Sequence, residues 1–292
     1  MPSMITRAIT EDGSARIIFT DSTAIVQAAR DIHNTSKTTT AVLGRCLTAT
    51  SLMGSLLKDK GNTLTFQMKG DGPAGGVVCV SDYKGNVRGY VENPDVELAP
   101  NPYGKLDVGG AIGRDGRLVI IKDMGMTEPY VGMCPLVTGE VGDDVSSYFA
   151  TSEQTPTVCA LGVRVNPDLS VKSAGGFLLQ LLPGADDAVA AKLEENVAKI
   201  SSVSQMIADG MTAEEIIAVV LDGIDYQLFD EFDIGYVCPC SREKYLVALA
   251  GLPQKDIDEL AAEGGPIETE CRFCDRRFSF DMEEIIAKRN EK

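Results

Sequence analysis

The chain has 292 residues, 44% of them hydrophobic, and a formal net charge of −16. This length is enough for one large domain and a small one, and no apolar run is long enough for a transmembrane helix. The N-terminus also lacks the apolar stretch of a secretion signal. We therefore expect a cytoplasmic protein without a membrane partner.

The negative charge is concentrated in the C-terminal third. Residues 184–292 carry 24 acidic and 11 basic side chains, against 19 and 16 in residues 1–183. A surface that binds nucleic acid needs a basic face to contact phosphates, so we expect no nucleic-acid partner. An acidic surface also keeps a protein soluble without any binding role.

The N-terminal sequence predicts a β-hairpin followed by two helices. Residues 4–20 are predicted to form two short strands around a Glu-Asp-Gly turn. One helix is predicted to begin near Ser22, and a second helix, with a clearer apolar periodicity, is predicted over 37–58. Apolar positions of the second helix recur every three to four residues, as on a buried face. They are Val42, Cys46, Ala49, Met53 and Leu56. Cys46 is therefore predicted to be a core residue rather than a reactive thiol.

Residues 62–183 are predicted to be mostly β-structure. NTLTFQMK alternates apolar and polar residues, and two long strands flank the Asn166-Pro167-Asp168 turn as in a hairpin. A helix over 141–152 interrupts the strands, and the sequence favours core packing for Met124, Met126 and Met133. Residues 1–183 are thus predicted to form an α+β core domain of mixed sheets and helices.

The sequence gives little support for a nucleotide-binding site or for a common set of catalytic residues. KGDGPAGG matches the spacing of a dinucleotide fingerprint, but β-like sequence follows it where that fingerprint requires a helix. The single histidine, His33, lies at a predicted helix end. We therefore expect a protein that is not an enzyme.

Residues 184–234 are predicted to form a helical linker. Apolar residues of 189–200 share one helix face, and Thr212-Ala-Glu-Glu215 has the pattern of a capping box that opens a further helix. The linker leads into a C-terminal module, predicted to span 235–292, that contains the four closely spaced cysteines of the chain.

These cysteines predict a metal site. Cys238 and Cys240 form a C-x-C pair, thirty residues follow, and Cys271 and Cys274 form a C-x-x-C pair. Two short helices in the intervening segment would bring the pairs together. In a reducing compartment such pairs are typical of metal or redox chemistry, and four thiolates with no nearby histidine favour one tetrahedral zinc ion.

The chemistry of such a site leaves three hypotheses open. The module is small, so a structural zinc ion would dominate its stability. The first hypothesis is therefore a constitutive interaction module in which zinc has a purely structural role. Zinc-bound thiolates are also targets for peroxide, and their oxidation would eject the metal and unfold the module. Basic residues beside the ligands would offset the negative charge of the site. They are Arg242, Lys244, Arg272, Arg276 and Arg277. A thiol–disulfide oxidoreductase is the third hypothesis, although the βαβ context it needs is not visible.

The chain resembles the 33-kilodalton heat shock protein family of redox-regulated holdase chaperones. The C-terminal motif is Cys238-Pro-Cys240-Ser-Arg, then Cys271-Arg-Phe-Cys274 followed by Phe-Ser-Phe. Four N-terminal blocks are also similar, and together the motifs cover nearly the whole chain. These blocks are GRCLTATSLM (44–53), GDGPAGG (70–76), SYFATSEQTPT (147–157) and AGGFLLQLLPGA (174–185).

The resemblance implies a specific function. The reduced form would hold one zinc ion per chain through Cys238, Cys240, Cys271 and Cys274 and be inactive. Oxidation would form Cys238–Cys240 and Cys271–Cys274 disulfides, release zinc, and unfold the module and the linker. The apolar surface exposed in this way would bind unfolding client proteins without ATP during oxidative stress, and the active form would be a homodimer.

Overall fold

The structure, a computed structural model, describes residues 3–291. The part that ends at Val237 and the part that begins at Cys238 are two separate compact units. Within the described residues no helix has both the length and the apolar character needed to cross a membrane.

The first unit contains two five-stranded antiparallel sheets. Its described strands are β1 (Ser3–Thr10), β2 (Ala15–Asp21), β3 (Thr63–Lys69), β4 (Gly76–Asp82), β5 (Val87–Val91), β6 (Arg117–Asp123), β7 (Tyr130–Pro135), β8 (Thr157–Val165), β9 (Val171–Leu181) and β10 (Tyr226–Ile234). The strand order is β10-β1-β2-β9-β8 in the first sheet and β5-β4-β3-β6-β7 in the second. The α+β fold class is confirmed, as are the hairpins formed by β1 with β2 and by β8 with β9.

Helices pack on both faces of the first sheet. The described helices of this unit are α1 (Thr23–His33), α2 (Lys37–Gly54), α3 (Val108–Ile112), α4 (Val141–Ser152), α5 (Asp187–Ala198), α6 (Val203–Ala208) and α7 (Ala213–Val220). Alternate residues of β2 face opposite layers: Ile18 joins the cluster around α1 and α2, whereas Ile17 and Phe19 join the cluster around α5–α7. The sheet is therefore an interior layer.

Helix α2 is the central element of the first unit. It packs against β8 and β9 of the first sheet and against β3, β4 and β5 of the second. Because it is covered on nearly every side, the hydroxyls of Thr48 and Thr50 donate to carbonyl oxygens one turn earlier, at 2.7 and 2.6 Å. Gly44 permits its close contact with α1, since a Cβ there would lie 2.7 Å from Val26.

The region predicted as a helical linker contains helices and a strand. The Thr212 capping box is confirmed: Thr212 Oγ1 accepts from the Glu215 N–H at 3.2 Å, and Glu215 accepts from the Thr212 N–H at 2.8 Å. The helical prediction is wrong for Tyr226–Ile234, which forms β10 and pairs with β1 from Ser3 to Thr10. Its apolar residues Tyr226, Leu228, Phe232 and Ile234 alternate with polar ones, although Phe229 and Asp230 interrupt the pattern. The strand is mostly exposed, and pairing with β1 far back in the chain fixes its conformation.

The predicted core role of three methionines is also wrong. Met124, Met126 and Met133 are 42%, 68% and 59% exposed. Met124 and Met126 lie between β6 and β7, and β7 is an edge strand of the second sheet. On β7, Met133 alternates with the buried Gly132 and Cys134, so strand geometry directs its side chain outward.

The second unit is small. Its described elements are α8 (Arg242–Ala250), α9 (Gln254–Glu263), β11 (Ile267–Glu270), β12 (Arg277–Phe280) and α10 (Met282–Asn290). The two helices predicted between the cysteine pairs are therefore present as α8 and α9. Among the described residues, the buried apolar cluster of this unit consists of Ile257, Phe280 and Ile285, with partly buried neighbours around them.

Candidate metal centre

The four closely spaced cysteines meet at one point of the second unit. The sulfur atoms of Cys238, Cys240, Cys271 and Cys274 all lie within 4.8 Å of one another. Cys238 Sγ is 3.7 Å from Cys271 Sγ, and Cys240 Sγ is 3.3 Å from Cys274 Sγ. A tetrahedral zinc site with bonds of about 2.3 Å has sulfur–sulfur edges of about 3.8 Å. The arrangement can therefore hold one metal ion.

Two short turns supply these sulfurs. Cys238 and Cys240 lie just before α8, whose N-terminus is capped by Ser241 Oγ accepting from the Lys244 N–H at 3.3 Å. A capped helix start fixes the direction in which the chain enters the helix. The C-x-C pair is therefore held by the beginning of a helix.

The C-x-x-C pair lies between the antiparallel strands β11 and β12. The N–H groups of Cys274 and Asp275 donate to the Cys271 carbonyl oxygen at 3.1 and 2.8 Å, and the Cys271 N–H donates to the Arg276 carbonyl oxygen at 2.9 Å. Asp275 has a φ of 54°, a left-handed conformation that closes the turn. These backbone bonds turn both sulfurs toward the same side.

The pKa values of the Cys271 and Cys240 thiols are shifted in opposite directions. Burial raises the pKa of Cys271, but hydrogen bonds from the Tyr245 hydroxyl, the Phe273 backbone and neighbouring thiols outweigh burial and leave that pKa at about 7. Burial and the neighbouring thiols raise the pKa of Cys240 above its ordinary value. Of these two thiols, Cys271 is the better prepared to become a thiolate.

The basic residues expected to offset the charge of the site have other main partners. Arg242 is paired with Glu284 at 2.6 Å and lies over the Phe280 ring at 4.7 Å. Arg277 is 3.5 Å from Glu270. Lys244 does approach the C-x-C turn, since its ammonium donates to the Pro239 carbonyl oxygen at 2.9 Å.

The other four cysteines are buried in the first unit, and all eight are free thiols. Cys46 is fully buried, which confirms the prediction of a core role, and burial raises the pKa of its thiol above the ordinary value. The pKa of Cys159 is raised by burial as well. These thiols lack the accessibility and acidity of a reactive cysteine.

The glycine-rich segment 70–76 connects two strands, β3 and β4. The Gly72 N–H donates to the Ile112 carbonyl oxygen at 2.8 Å, and the Ala74 N–H donates to the Ala111 carbonyl oxygen at 2.9 Å. The segment is a turn packed on α3. It has no following helix of the kind that receives a pyrophosphate, as the sequence predicted.

The fold and the cysteine cluster agree with comparisons to known proteins. Residues 3–281 match the family model described as Hsp33 protein. The chain belongs to the Hsp33 family. A 33 kDa chaperonin of Clostridium botulinum strain 657 is 45% identical over 285 residues, which cover 98% of this chain and 96% of that protein. A 33 kDa chaperonin of Clostridioides difficile strain 630 is 43% identical over 286 residues and 98% of each chain.

A solved structure supports the same assignment. The crystal structure of the 33 kDa chaperonin, heat shock protein 33 homolog, of Thermotoga maritima superposes with a TM-score of 0.90 at 34% identity. The alignment covers 100% of this chain and 99% of that one. This Hsp33 chain thus shares its family's fold from end to end.

The role of Tyr245 at the centre was not predicted from the sequence. Tyr245 lies on α8, contacts the Phe278 ring at 5.1 Å between centroids, and hydrogen-bonds Cys271. Arg242 connects α8 to β12 through the Ser279 carbonyl oxygen at 3.0 Å. The sequence does show an aromatic residue shortly after the C-x-C pair. Its contacts with Cys271 and Phe278 could not be inferred, because those residues lie far away in the sequence.

Proposed function

We propose that this Hsp33 chain is an ATP-independent holdase chaperone of the cytoplasm, and not an enzyme, whose activity is controlled by oxidation of its zinc site. Residues 1–183 would act as the core domain, 184–234 as the linker and 235–292 as the redox switch. The curated relatives are named chaperonins, which supports a role in binding unfolded or partly folded proteins.

The observation that carries the proposal is a four-thiol cluster in a unit with a very small core. Cys238, Cys240, Cys271 and Cys274 provide a soft, all-sulfur donor set that suits zinc. Zinc, when bound, would keep the four sulfurs deprotonated. The folding of a unit this small then depends on whether its cysteines can act as ligands.

Oxidation changes those cysteines in a balanced way. Each pair, Cys238 with Cys240 and Cys271 with Cys274, gives two electrons to one hydrogen peroxide molecule and forms one sulfur–sulfur bond. The peroxide takes two protons from solvent and leaves as two molecules of water. Two peroxides thus consume all four ligands, and the ion is released. The zinc-bound sulfurs would already be thiolates, which is the form that peroxide attacks.

Two apolar surfaces would then serve clients. The first is covered in this structure: Phe19, Phe177 and Leu179 of the first sheet pack against linker helices α5 and α7. Loss of linker structure would expose this face. The second is already exposed and comprises Met124, Met126, Tyr130, Val131 and Met133 at the β6–β7 edge. Flexible methionine side chains suit a surface that accepts varied partners. We expect the active form to be a homodimer, as the family resemblance implies.

The decisive test follows zinc and activity in the same samples. The reduced, zinc-loaded chain is treated with peroxide while a colorimetric chelator reports zinc release and light scattering reports aggregation of a heat-unfolded client. We expect about one zinc per chain to leave as holdase activity appears. Cys271→Ser should bind zinc weakly and show activity that no longer depends on peroxide, whereas Cys159→Ser, in the first unit, should retain the switch.

Two other outcomes would replace the proposal. Retention of zinc under peroxide, with unchanged activity, would favour a constitutive zinc-stabilised interaction module. Rapid insulin reduction with thioredoxin reductase would favour a thiol–disulfide oxidoreductase. The position of the C-x-x-C pair between two antiparallel strands supports the chaperone, since the oxidoreductase motif begins a helix in a βαβ unit.

A further inference from the structure

One cavity of the first unit is basic, although the protein is strongly acidic. It has a volume of about 560 Å³ and is lined by segments of α2, β8, the loop before α3 and the turn between α5 and α6. Its charged lining residues are Arg45, Lys105 and Arg164, with no carboxylate among the lining residues. In a chain with 43 acidic and 27 basic residues, such a lining is unlike the rest of the surface.

Arg45 places a positive charge at this cavity. Its Nη1 atom is paired with Glu140, which holds the guanidinium in place. Its side chain is 15% exposed, so the guanidinium faces the cavity from a fixed position.

The remaining polar groups also suit an anion. Lys105 and Arg164 are exposed at the cavity, so their charges are accessible to a ligand. Arg164 uses one guanidinium nitrogen, Nη1, to donate to Gln205, which orients its fork. Ser201 and Ser202 contribute hydroxyls to the lining. Two guanidinium groups, an ammonium and hydroxyl donors together match a group with several negative oxygens.

The apolar part of the lining indicates more than a bare ion. Leu106, Leu161, Val163 and Val165 also face the cavity. A volume of this size is in the range of small-molecule sites, which combine apolar walls with a few polar groups. We propose that the cavity binds a small organic phosphate, with its phosphate at Arg45, Lys105 and Arg164 and its uncharged part against these apolar side chains.

A neighbouring cavity indicates where the phosphate would lie. This smaller space, about 250 Å³, shares Arg45, Leu161, Ser201 and Ser202 with the first but is also lined by Glu140 and Asp143. Carboxylates repel an anion. The phosphate therefore belongs on the Lys105 side of Arg45, and the Glu140 side stays free of it.

Binding there would connect the core to the linker. Arg45 and Lys105 belong to the core, whereas Ser201 and Ser202 lie in the turn between α5 and α6. A ligand that contacts both stabilises the packed state, because it binds that state and not one in which the linker has left. Hydrogen exchange of residues 199–206 should therefore slow in its presence.

The test is calorimetric titration of the full, reduced, zinc-loaded chain with glucose 6-phosphate at constant ionic strength. We expect saturable binding to one site. Lys105→Gln and Arg164→Gln should each weaken binding about tenfold, the loss expected for one charged hydrogen bond. Both side chains are exposed, so both variants should fold. Lys58→Gln, an exposed lysine outside the cavity, makes the same change in net charge and should leave binding unchanged.

Three results would overturn the proposal. Absence of saturable heat would show that the cavity has no such ligand. Equal weakening by Lys58→Gln would show general attraction to cations. Equal binding of gluconate, a sugar acid of similar size, would show that a phosphate is not what the cavity recognises. None of these results depends on chaperone activity, so the proposed function would stand or fall separately.

Discussion

The first unit buries two large apolar clusters on either side of its inner sheet, whereas the second unit buries Ile257, Phe280 and Ile285. In the first unit, α2 packs against strands of both sheets, and their side chains form the larger of these two clusters. In the second, four sulfur atoms are drawn together at the point where its elements meet. One chain thus combines a region stabilised by burial with a small region whose stability we expect to depend on a metal held by its four sulfurs.

Removal of the metal should produce the largest difference in stability between the two units. A structural zinc ion contributes about 10–16 kcal/mol to small zinc modules. A strong chelator under reducing conditions should therefore unfold α8, α9 and α10, which circular dichroism would report as a loss of helix, while hydrogen exchange in α2 stays slow. Equal loss of protection in α2 would show that the first unit depends on the metal as well.

The same Phe→Ala substitution in each core tests whether only the second unit depends on zinc. Phe280 and Phe66 are both fully buried, and Phe→Ala in a core costs about 3–5 kcal/mol. Phe280→Ala should weaken zinc binding by a hundredfold or more, roughly the same free energy, and lower the chelator concentration that unfolds the second unit. Phe66→Ala should lower the denaturant midpoint of the first unit and leave the chelator midpoint unchanged. Zinc affinity of Phe280→Ala equal to that of the unmodified chain would contradict metal-coupled folding.

The linker can be loosened without touching either core. Asn196 on α5 is buried and donates to the carbonyl oxygens of Val220 and Asp222, at 3.2 and 2.8 Å. Asn196→Ala leaves these acceptors without a partner and should cost about 1–3 kcal/mol. Hydrogen exchange should accelerate in α5–α7 and not in α2. Glu194→Gln, on the exposed side of α5, is the matched control and should change neither.

The smallest effect compares two helix starts. Thr212 begins α7 in the first unit, and Asp281 begins α10 in the second; Glu215 and Glu284 accept from their backbone N–H groups. Replacement of either capping residue by Ala should cost about 1 kcal/mol. Thr212→Ala should lower the denaturant midpoint of the first unit, while Asp281→Ala should lower the chelator midpoint. Thr212→Ser retains the hydroxyl and should behave like the unmodified chain.

Local patterns predicted much of the fold and the candidate site. Periodicity located α1, α2 and α4, the Asn166-Pro167-Asp168 turn located a hairpin, and the capping box located α7. The four cysteines were identified from their spacing, because a turn of two or three residues is enough to direct two sulfurs to one ion. These features depend on neighbours in the sequence, so they can be recognised there.

The features that the sequence analysis missed or predicted wrongly depend on contacts between residues far apart in the chain. Tyr226–Ile234 alternates apolar and polar residues only in part, because Phe229 and Asp230 interrupt the pattern, and it becomes β10 by pairing with β1, more than 200 residues earlier. Met124, Met126 and Met133 are exposed because β7 ends its sheet, and an edge is a property of the assembled sheet. Likewise, the basic cavity combines Arg45, Lys105 and Arg164 from three distant segments. Local elements and the cysteine spacing of a metal site could be predicted from the sequence, because they depend on residues close together in the chain. Strand pairing, exposure and the grouping of charged residues were decided by the tertiary structure, because they depend on contacts between residues far apart in the chain.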